Sequence, residues 1–162
     1  IDPAREAAMT ASMFRHYMAA PARLSRPYPG AVACLETLQA RGHPLGLCTN
    51  KAIAPTRMIL EALGLARFFP VVIGGDSVAQ KKPDPAPLHA AFAPLGPPLL
   101  YVGDSEVDSE TARAAGIPFA LHTEGYRKAD VRELPLAFAF SDFAELAAWL
   151  TAPRTAGDCQ SA

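Results

Sequence analysis

The sequence lacks the features that would assign it at once to several large classes of protein. It has only three cysteines, at positions 34, 48 and 159, and no Cys-x-x-Cys spacing, so neither a disulfide framework nor a zinc site is indicated. No apolar run approaches the roughly 18 residues of a membrane-spanning helix, and no signal peptide is visible. Its 15 Lys and Arg residues nearly balance its 16 Asp and Glu residues, so the basic surplus typical of nucleic-acid and anionic-membrane partners is missing. We therefore expect a cytoplasmic protein with reduced thiols that binds neither nucleic acid nor membrane.

The chain does have enough apolar sequence for one ordinary domain. It contains 162 residues, half of them hydrophobic, which suffices for a sizeable core. Residues 4–20 have helical composition, and Met9, Met13 and Phe14 on this helix are expected to be packing residues. The segment PARLSRPYPG (21–30) then interrupts with three prolines and a glycine, which is typical of a linker.

After the linker, short apolar strands alternate with amphipathic helices. Two of the helices are expected to end at Gly42 and Gly64, and a third to begin at Pro85 with Asp84 as its N-cap. The predicted strands are 44–48, 71–75, 99–102, 117–121 and 137–140. This alternation predicts an α/β fold in which a parallel sheet carries helices on both faces. Ligands of such sheets bind beyond the carboxyl ends of the strands, which points to residues 49–51 and 103–108.

Four carboxylates, those of Asp104, Glu106, Asp108 and Glu110, follow the third predicted strand. Like charges at this density repel, so a cation or open solvent must offset them. A calcium loop of the EF-hand type is excluded, because the segment lacks the glycine at its sixth position and the glutamate at its twelfth. Two interpretations stay open: helix capping by a Ser105-x-x-Asp108 box, and a Mg²⁺ site formed by Asp104 with Asp108 one turn later. We expect water to solvate Glu106 and Glu110.

Two further polar segments lie where such sheets bind ligands. Thr49 and Asn50 follow a strand and precede a helix, where a hydroxyl and backbone N–H groups can bind phosphate, although Thr-Asn is equally ordinary turn chemistry. The segment QKKPDP contains Lys81 and Lys82, and both are expected on the surface if they are ordinary lysines. Alternatively, Lys82, which directly precedes a proline, provides the positive charge that binds a phosphate group. The GGDS segment lacks the rest of a phosphate-loop fingerprint and predicts a turn.

Thr49 after a strand, Lys82 before proline and VGDSEVD after a later strand together resemble the haloacid dehalogenase (HAD) superfamily of phosphatases. The segments SRPYPGAVACLETLQARGHPLGLCTNK, VVIGGDSVAQKKPDPAPL and LLYVGDSEVDSETARAAGIP look closest to bacterial members that act on 2-phosphoglycolate. The resemblance implies an α/β, HAD-like Rossmannoid three-layer sandwich with a parallel sheet. It also implies that residues 1–25 are the end of a helical cap domain and that residues 26–150 are the core domain without its first strand. Residues 151–162 look like a disordered tail.

The resemblance further implies a role for each polar residue. Thr49, with Asn50 beside it, would hydrogen-bond the transferring phosphoryl group. Lys82 would neutralise charge on that group and on the nucleophile. Asp104 would bind Mg²⁺ directly, and Asp108 would support it from outside the coordination sphere. The expected activity is Mg²⁺-dependent hydrolysis of 2-phosphoglycolate to glycolate and phosphate through an aspartyl-phosphate intermediate, by a monomer or homodimer.

The family's Asp-x-Asp-Gly-Thr motif, which supplies the nucleophile and the general acid/base, is not found in this sequence. In the family fold it ends a strand between those that bear Thr49 and Asp104. Because the chain also starts at Ile1 rather than Met, we expect an N-terminally incomplete sequence, name no nucleophile in it, and expect these residues alone to be inactive and poorly folded. The alternatives are a HAD phosphatase or phosphomutase for another small phosphorylated metabolite, and a non-catalytic phosphate-binding relative.

Overall fold

The computed structural model describes residues 2–152, which form alternating helices and strands. The helices are α1 (Pro3–Ala19), α2 (Ala31–Ala40), α3 (Ile53–Ala62), α4 (Ala86–Phe92), α5 (Glu106–Ala115) and α6 (Phe143–Thr151). The strands are β1 (Gly46–Cys48), β2 (Val71–Ile73), β3 (Tyr101–Gly103), β4 (Phe119–His122) and β5 (Phe138–Phe140), and short 3₁₀ turns lie at Ala66–Phe68 and Val131–Glu133. The expected tail lies outside the described residues from 153 onward, whereas Thr151 ends α6.

Every strand pair is parallel, and the described strands form two sheets. β1 pairs with β2, with Leu47 opposite Val72, and the second sheet has the order β3-β4-β5. A mainly apolar groove lies between β1 and β3 and is lined by both strands and by residues of α2, α4 and α6. β1 and β3, the strands that precede Thr49 and Asp104, therefore line this groove, and no strand of residues 2–152 lies between them.

Helices cover both faces of the second sheet, which gives the domain three layers. β4 lies between β3 and β5, and all four of its residues are buried, as expected of a parallel strand covered on both faces. Phe119 and Leu121 pack with Leu88 of α4 and Ala112 of α5. Ala120, between them in sequence, belongs to a second cluster with residues of α2, β5 and α6. The predicted α/β three-layer sandwich is confirmed.

Helix ends follow the expected chemistry with one correction. Gly42 and Gly64, just beyond α2 and α3, have φ angles of +78° and +67°, the left-handed conformation that glycine adopts at low cost. The predicted N-cap of α4 is wrong by one residue, because Pro85 occupies the cap position. Asp84 Oδ1 instead accepts the N–H of Ala86 at 2.8 Å, since an aspartate side chain readily bonds the backbone two residues on.

Proline also shifts the start of two strands relative to the predictions. The ladder between β3 and β4 starts where the Tyr101 N–H donates to the Pro118 carbonyl at 2.8 Å. Pro118 supplies a carbonyl but no N–H, so regular pairing of β4 begins one residue later, at Phe119. The strands predicted at 99–102 and 117–121 are therefore Tyr101–Gly103 and Phe119–His122.

Helix α1 does not pack as predicted. Its apolar residues Met9, Met13 and Phe14 are 61%, 67% and 49% exposed, and no residue of α1 is buried by the described part of the chain. The reason is that α1 makes few contacts with the other described helices and strands. Within residues 2–152, no helix combines the length and apolar character that crossing a bilayer requires.

The core on β4 can be tested by truncation. Leu121 is fully buried, and we expect Leu121→Ala to lower the free energy of unfolding by about 2–5 kcal/mol, because it leaves a cavity between β4 and the helices above it. Leu24→Ala is a matched control, since Leu24 is 91% exposed and its loss should cost less than about 0.5 kcal/mol. Urea unfolding of the full-length protein measures both, and equal effects would contradict the packing described here.

Candidate active site

Lys82 lies where the two sheets meet at their carboxyl edges. Its ammonium group donates to Asp108 Oδ1 at 2.6 Å, to the Tyr101 hydroxyl at 2.9 Å and to the Cys48 carbonyl at 3.4 Å. Cys48 ends β1 and Tyr101 begins β3, so one side chain connects strands that share no backbone ladder. All three donor positions of an ammonium group are thereby used.

The Lys82–Asp108 pair is nearly buried, with side-chain exposures of 10% and 8%. The alternative in which both lysines of QKKPDP are surface residues is therefore wrong for Lys82 and correct for Lys81, which is exposed. A buried pair is retained only where geometry and further hydrogen bonds offset the loss of hydration. Removal of either partner would leave the other charge buried and unpaired.

Asp108 accepts hydrogen bonds at both carboxylate oxygens. Oδ1 accepts from Lys82 and from the Tyr101 hydroxyl at 2.8 Å, and Oδ2 accepts from the Ser105 hydroxyl at 2.7 Å and the Asp104 N–H at 3.2 Å. Burial raises the pKa of the Asp108 carboxyl, but the charge of Lys82 and these hydrogen bonds outweigh it, so the pKa lies below its ordinary value. Asp108 is thus an ionised carboxylate fully engaged with protein donors.

Two residues of the site were not assigned to it from the sequence. Tyr101 was missed, and Ser105 was considered only as a helix cap. Burial, followed by the charge of Asp108, raises the pKa of the Tyr101 hydroxyl well above its ordinary value, so it remains a donor. The predicted cap at Ser105 is confirmed, because its hydroxyl accepts the Asp108 N–H at the start of α5, but the Asp108 carboxylate bonds the Asp104 N–H rather than that of Ser105, so only half of the capping box forms. A hydroxyl-bearing aromatic in an otherwise apolar strand was the available signal for Tyr101, since such a group needs a partner when buried.

Thr49 and Asn50 follow β1 directly, and their side chains do different things. The Thr49 hydroxyl oxygen accepts the Lys51 N–H at 3.2 Å, as in an ordinary turn, and this leaves its O–H able to donate. The Asn50 amide makes two bonds to the backbone of Lys82, one to its carbonyl and one from its N–H, each 3.0 Å long. Asn50 therefore holds the lysine segment in place, and its contact with phosphate stays a prediction.

The GGDS segment forms a turn, as predicted, and it also caps a helix. The Ser77 N–H donates to the Gly74 carbonyl at 3.0 Å, and the Gly74 N–H donates to the Ser77 hydroxyl at 2.9 Å. Asp76 Oδ1 accepts the N–H of Ile53, the first residue of α3, at 2.7 Å. One donor at the helix end beside Thr49 is thus already occupied by a carboxylate.

Asp104 follows β3 directly and is available for a cation. Its Oδ2 accepts the Tyr126 N–H at 3.3 Å, and no hydrogen bond to Oδ1 is found among residues 2–152. Those residues contain no cluster of three or more His, Cys, Asp or Glu side chains suited to a metal. One free carboxylate oxygen nevertheless fits Mg²⁺, which binds few protein oxygens and keeps several waters.

The two glutamates of the acidic segment differ from each other. Glu110 is exposed, as expected. The expectation that water alone solvates Glu106 is wrong, because its Oε1 accepts the backbone N–H groups of Lys128 and Ala129. Its own backbone N–H and those two groups lower the pKa of the Glu106 carboxyl. These partners are over 20 residues away, so no local pattern indicated them.

An aromatic cluster flanks the site on the side of β4. His122 ends β4 and packs against Tyr28, Phe143 and Phe140, with ring centroids 4.6, 5.0 and 5.3 Å away. Burial, and then the charges of Asp104 and Tyr126, raise the pKa of the Tyr28 hydroxyl. Tyr28 comes from the segment predicted to be a linker, which therefore contributes to the surroundings of Asp104.

These observations define a three-layer α/β domain with a threonine, a buried lysine and an acidic pair at the carboxyl ends of parallel strands. The family model for haloacid dehalogenase-like hydrolases matches residues 2–122, and the chain belongs to that family. The resemblance found in the sequence is thereby confirmed.

Particular relatives narrow the similarity. The chain is 52% identical over 146 residues to a phosphoglycolate phosphatase of Cereibacter sphaeroides, covering 90% of this chain and 67% of that protein. It is 45% identical over 160 residues to a phosphoglycolate phosphatase of Rhodospirillum rubrum, covering 97% and 66%. A crystal structure of a predicted phosphoglycolate phosphatase from Haemophilus somnus superposes with a TM-score of 0.77 at 32% identity, covering 83% of this chain and 61% of that one. The chain thus spans about two thirds of the length of these relatives.

The buried ion pair predicts a large difference between adjacent lysines. Lys82→Met should lower the free energy of unfolding by about 3–5 kcal/mol, because Asp108 keeps a buried charge and loses its cation. Lys81→Met is the matched control and should change it by less than about 0.5 kcal/mol. Urea unfolding compares the two, and adding Asp108→Asn to Lys82→Met should recover part of the loss. Equal stability of the two lysine variants would refute the pairing.

Proposed function

We propose that the full-length protein containing this chain is a Mg²⁺-dependent phosphatase that hydrolyses 2-phosphoglycolate to glycolate and phosphate. The observation that carries the proposal is the buried Lys82–Asp108 pair, which lies between the strand leading to Thr49 and the strand leading to Asp104. A fixed cation flanked by a hydroxyl donor and a free carboxylate is suited to a phosphoryl group, whose transfer depends on positioning and charge neutralisation.

Each residue has a task in this scheme. The Thr49 O–H donates to a phosphate oxygen, and the Lys82 ammonium neutralises charge on the phosphoryl group while Asp108 and Asn50 hold it in position. Asp104 Oδ1 holds the cation, and Asp108 supports that arrangement by accepting the Asp104 N–H. When bound, Mg²⁺ would supply positive charge to the phosphate oxygens.

The nucleophile is not assigned to a residue of this chain. The groove between β1 and β3 supports a further strand at this place, because it is mainly apolar and both flanking strands present a backbone edge to it. A strand seated there would bring its carboxyl end between Thr49 and Asp104. We propose that this strand carries the attacking aspartate and forms the aspartyl-phosphate intermediate.

The choice of substrate is supported by the relatives rather than by the site. The curated relatives from Cereibacter sphaeroides and Rhodospirillum rubrum are named phosphoglycolate phosphatases, and the matches cover 90% and 97% of this chain. The site described above requires only that the substrate is a small phosphate ester. Two alternatives must therefore be distinguished from the proposal: an enzyme that acts on another phosphorylated metabolite, and a protein that binds phosphate without turnover. We further propose a cytoplasmic location and a monomer or homodimer.

A panel assay tests the proposal directly. The full-length protein should release phosphate from 2-phosphoglycolate faster than from other small phosphate esters at equal concentration, and chelation of Mg²⁺ should abolish the release. Faster release from a sugar phosphate would favour the alternative substrate. Binding of phosphate without any release would favour the non-catalytic relative.

Asp104→Asn should reduce kcat by about a thousandfold or more at saturating Mg²⁺, because the cation loses a charged ligand. This loss should cost on the order of several kcal/mol of transition-state stabilisation. Circular dichroism should show an intact fold, since Asp104 is only partly buried. Glu110 is exposed and lies about one helical turn after Glu106, the first residue of α5. Glu110→Gln is therefore the control and should retain wild-type kcat. Near-normal turnover of Asp104→Asn would overturn the metal assignment.

A further inference from the structure

Glu106 links the start of α5 to a loop distant in sequence. It is the first residue of α5, and its Oε1 accepts the backbone N–H groups of Lys128 and Ala129. Both belong to the loop 123–130, which leads from the end of β4 to the 3₁₀ turn at Val131–Glu133. A side-chain oxygen that accepts two main-chain N–H groups holds both of those residues in place.

Two other residues of the same loop, Gly125 and Tyr126, contact Asp104. The Tyr126 N–H donates to Asp104 Oδ2 at 3.3 Å. A Cβ atom on Gly125 would lie 2.2 Å from the Asp104 Cβ and 2.4 Å from its Oδ2, so only glycine allows the backbone to approach this closely. The Arg127 guanidinium donates to the Thr123 carbonyl and closes the loop on itself.

The two attachments of the loop are unequal. The single bond from Tyr126 to Asp104 is longer than the usual separation of about 2.9–3.0 Å, whereas Glu106 accepts two bonds. The contact at Asp104 therefore does not secure the loop by itself. Its placement against the carboxylate depends on the anchor at Glu106.

We propose that Glu106 is a positioning residue that holds the loop 123–130 against Asp104. With the loop in place, Oδ2 of Asp104 is engaged by Tyr126 and Oδ1 is left for the cation. This inference rests on the proposed role of Asp104 as a Mg²⁺ ligand. Hydrogen-bonded neighbours of metal ligands typically change metal affinity about 10–100-fold when they are removed.

The rival explanation is that Glu106 only stabilises α5, because an acidic residue in the first turn interacts favourably with the helix N-terminus. Glu106→Gln separates the two roles. The glutamine removes the negative charge at the helix end but keeps a carbonyl oxygen that can accept both N–H groups. Glu106→Ala removes both, and Glu110→Ala removes an exposed acid of the same helix.

The experiment uses the full-length protein and two readouts besides activity. Isothermal titration with MgCl₂ gives the dissociation constant, and NMR hydrogen exchange without metal reports on the Tyr126 amide, which Glu106 does not contact. We expect Glu106→Ala to raise the Mg²⁺ dissociation constant at least about tenfold and to speed exchange at Tyr126 by a similar factor. Glu106→Gln should stay within about threefold of wild type in both, and Glu110→Ala should match wild type.

The outcomes separate this inference from the proposed function. Unchanged exchange at Tyr126 in Glu106→Ala would overturn the anchor, and faster exchange with unchanged Mg²⁺ affinity would overturn its role toward Asp104. A glutamine variant as impaired as the alanine variant would favour the effect of charge on the helix and also overturn the inference. If the wild-type protein binds no Mg²⁺, the metal assignment fails first, and the inference fails with it before any variant is compared.

Discussion

The ion pair between Lys82 and Asp108 holds the two sheets of the described domain together at their carboxyl edge, where no backbone ladder joins them. The lysine reaches the last residue of β1, and the aspartate reaches the first residue of β3 through Tyr101. Because both charges are poorly hydrated, neither can leave the other without a large cost, so the pair fixes the separation of the strand ends. Thr49 follows the end of β1 and Asp104 follows the end of β3, so the pair contributes to their relative placement together with α4, which packs against β1, β2 and α5.

Around the pair, the polar residues divide into those that are committed and those that remain available. Both carboxylate oxygens of Asp108 accept hydrogen bonds from protein donors, and the Asn50 amide is hydrogen-bonded to the backbone of Lys82. The Thr49 O–H and Oδ1 of Asp104 keep capacity for a ligand. This division is what a preorganised site requires, because side chains that are already bonded keep the reacting geometry without rearrangement.

Several local features could be predicted because their causes are local. Gly42 and Gly64 end helices through their own backbone freedom, and the Ser105 cap depends on residues three apart. Predictions failed where distant residues decide. Met9 was expected to pack, but it is 61% exposed because its helix makes few contacts with the other described helices and strands. Glu106 was expected to face water, yet the loop that it binds lies over 20 residues further along the chain.

The sequence by itself therefore determined the α/β class, the parallel strands and the positions of the residues that follow strand ends, because strand-helix alternation requires all of these. It also distinguished Lys82 from Lys81, through the motif that resembles the family. Only the tertiary structure decided that Tyr101 joins the ion pair, that Asn50 serves the lysine segment, and that the loop at Gly125 rests on Asp104. These contacts link segments that are separated along the chain, and packing in three dimensions, rather than any local pattern, brings them within hydrogen-bonding distance.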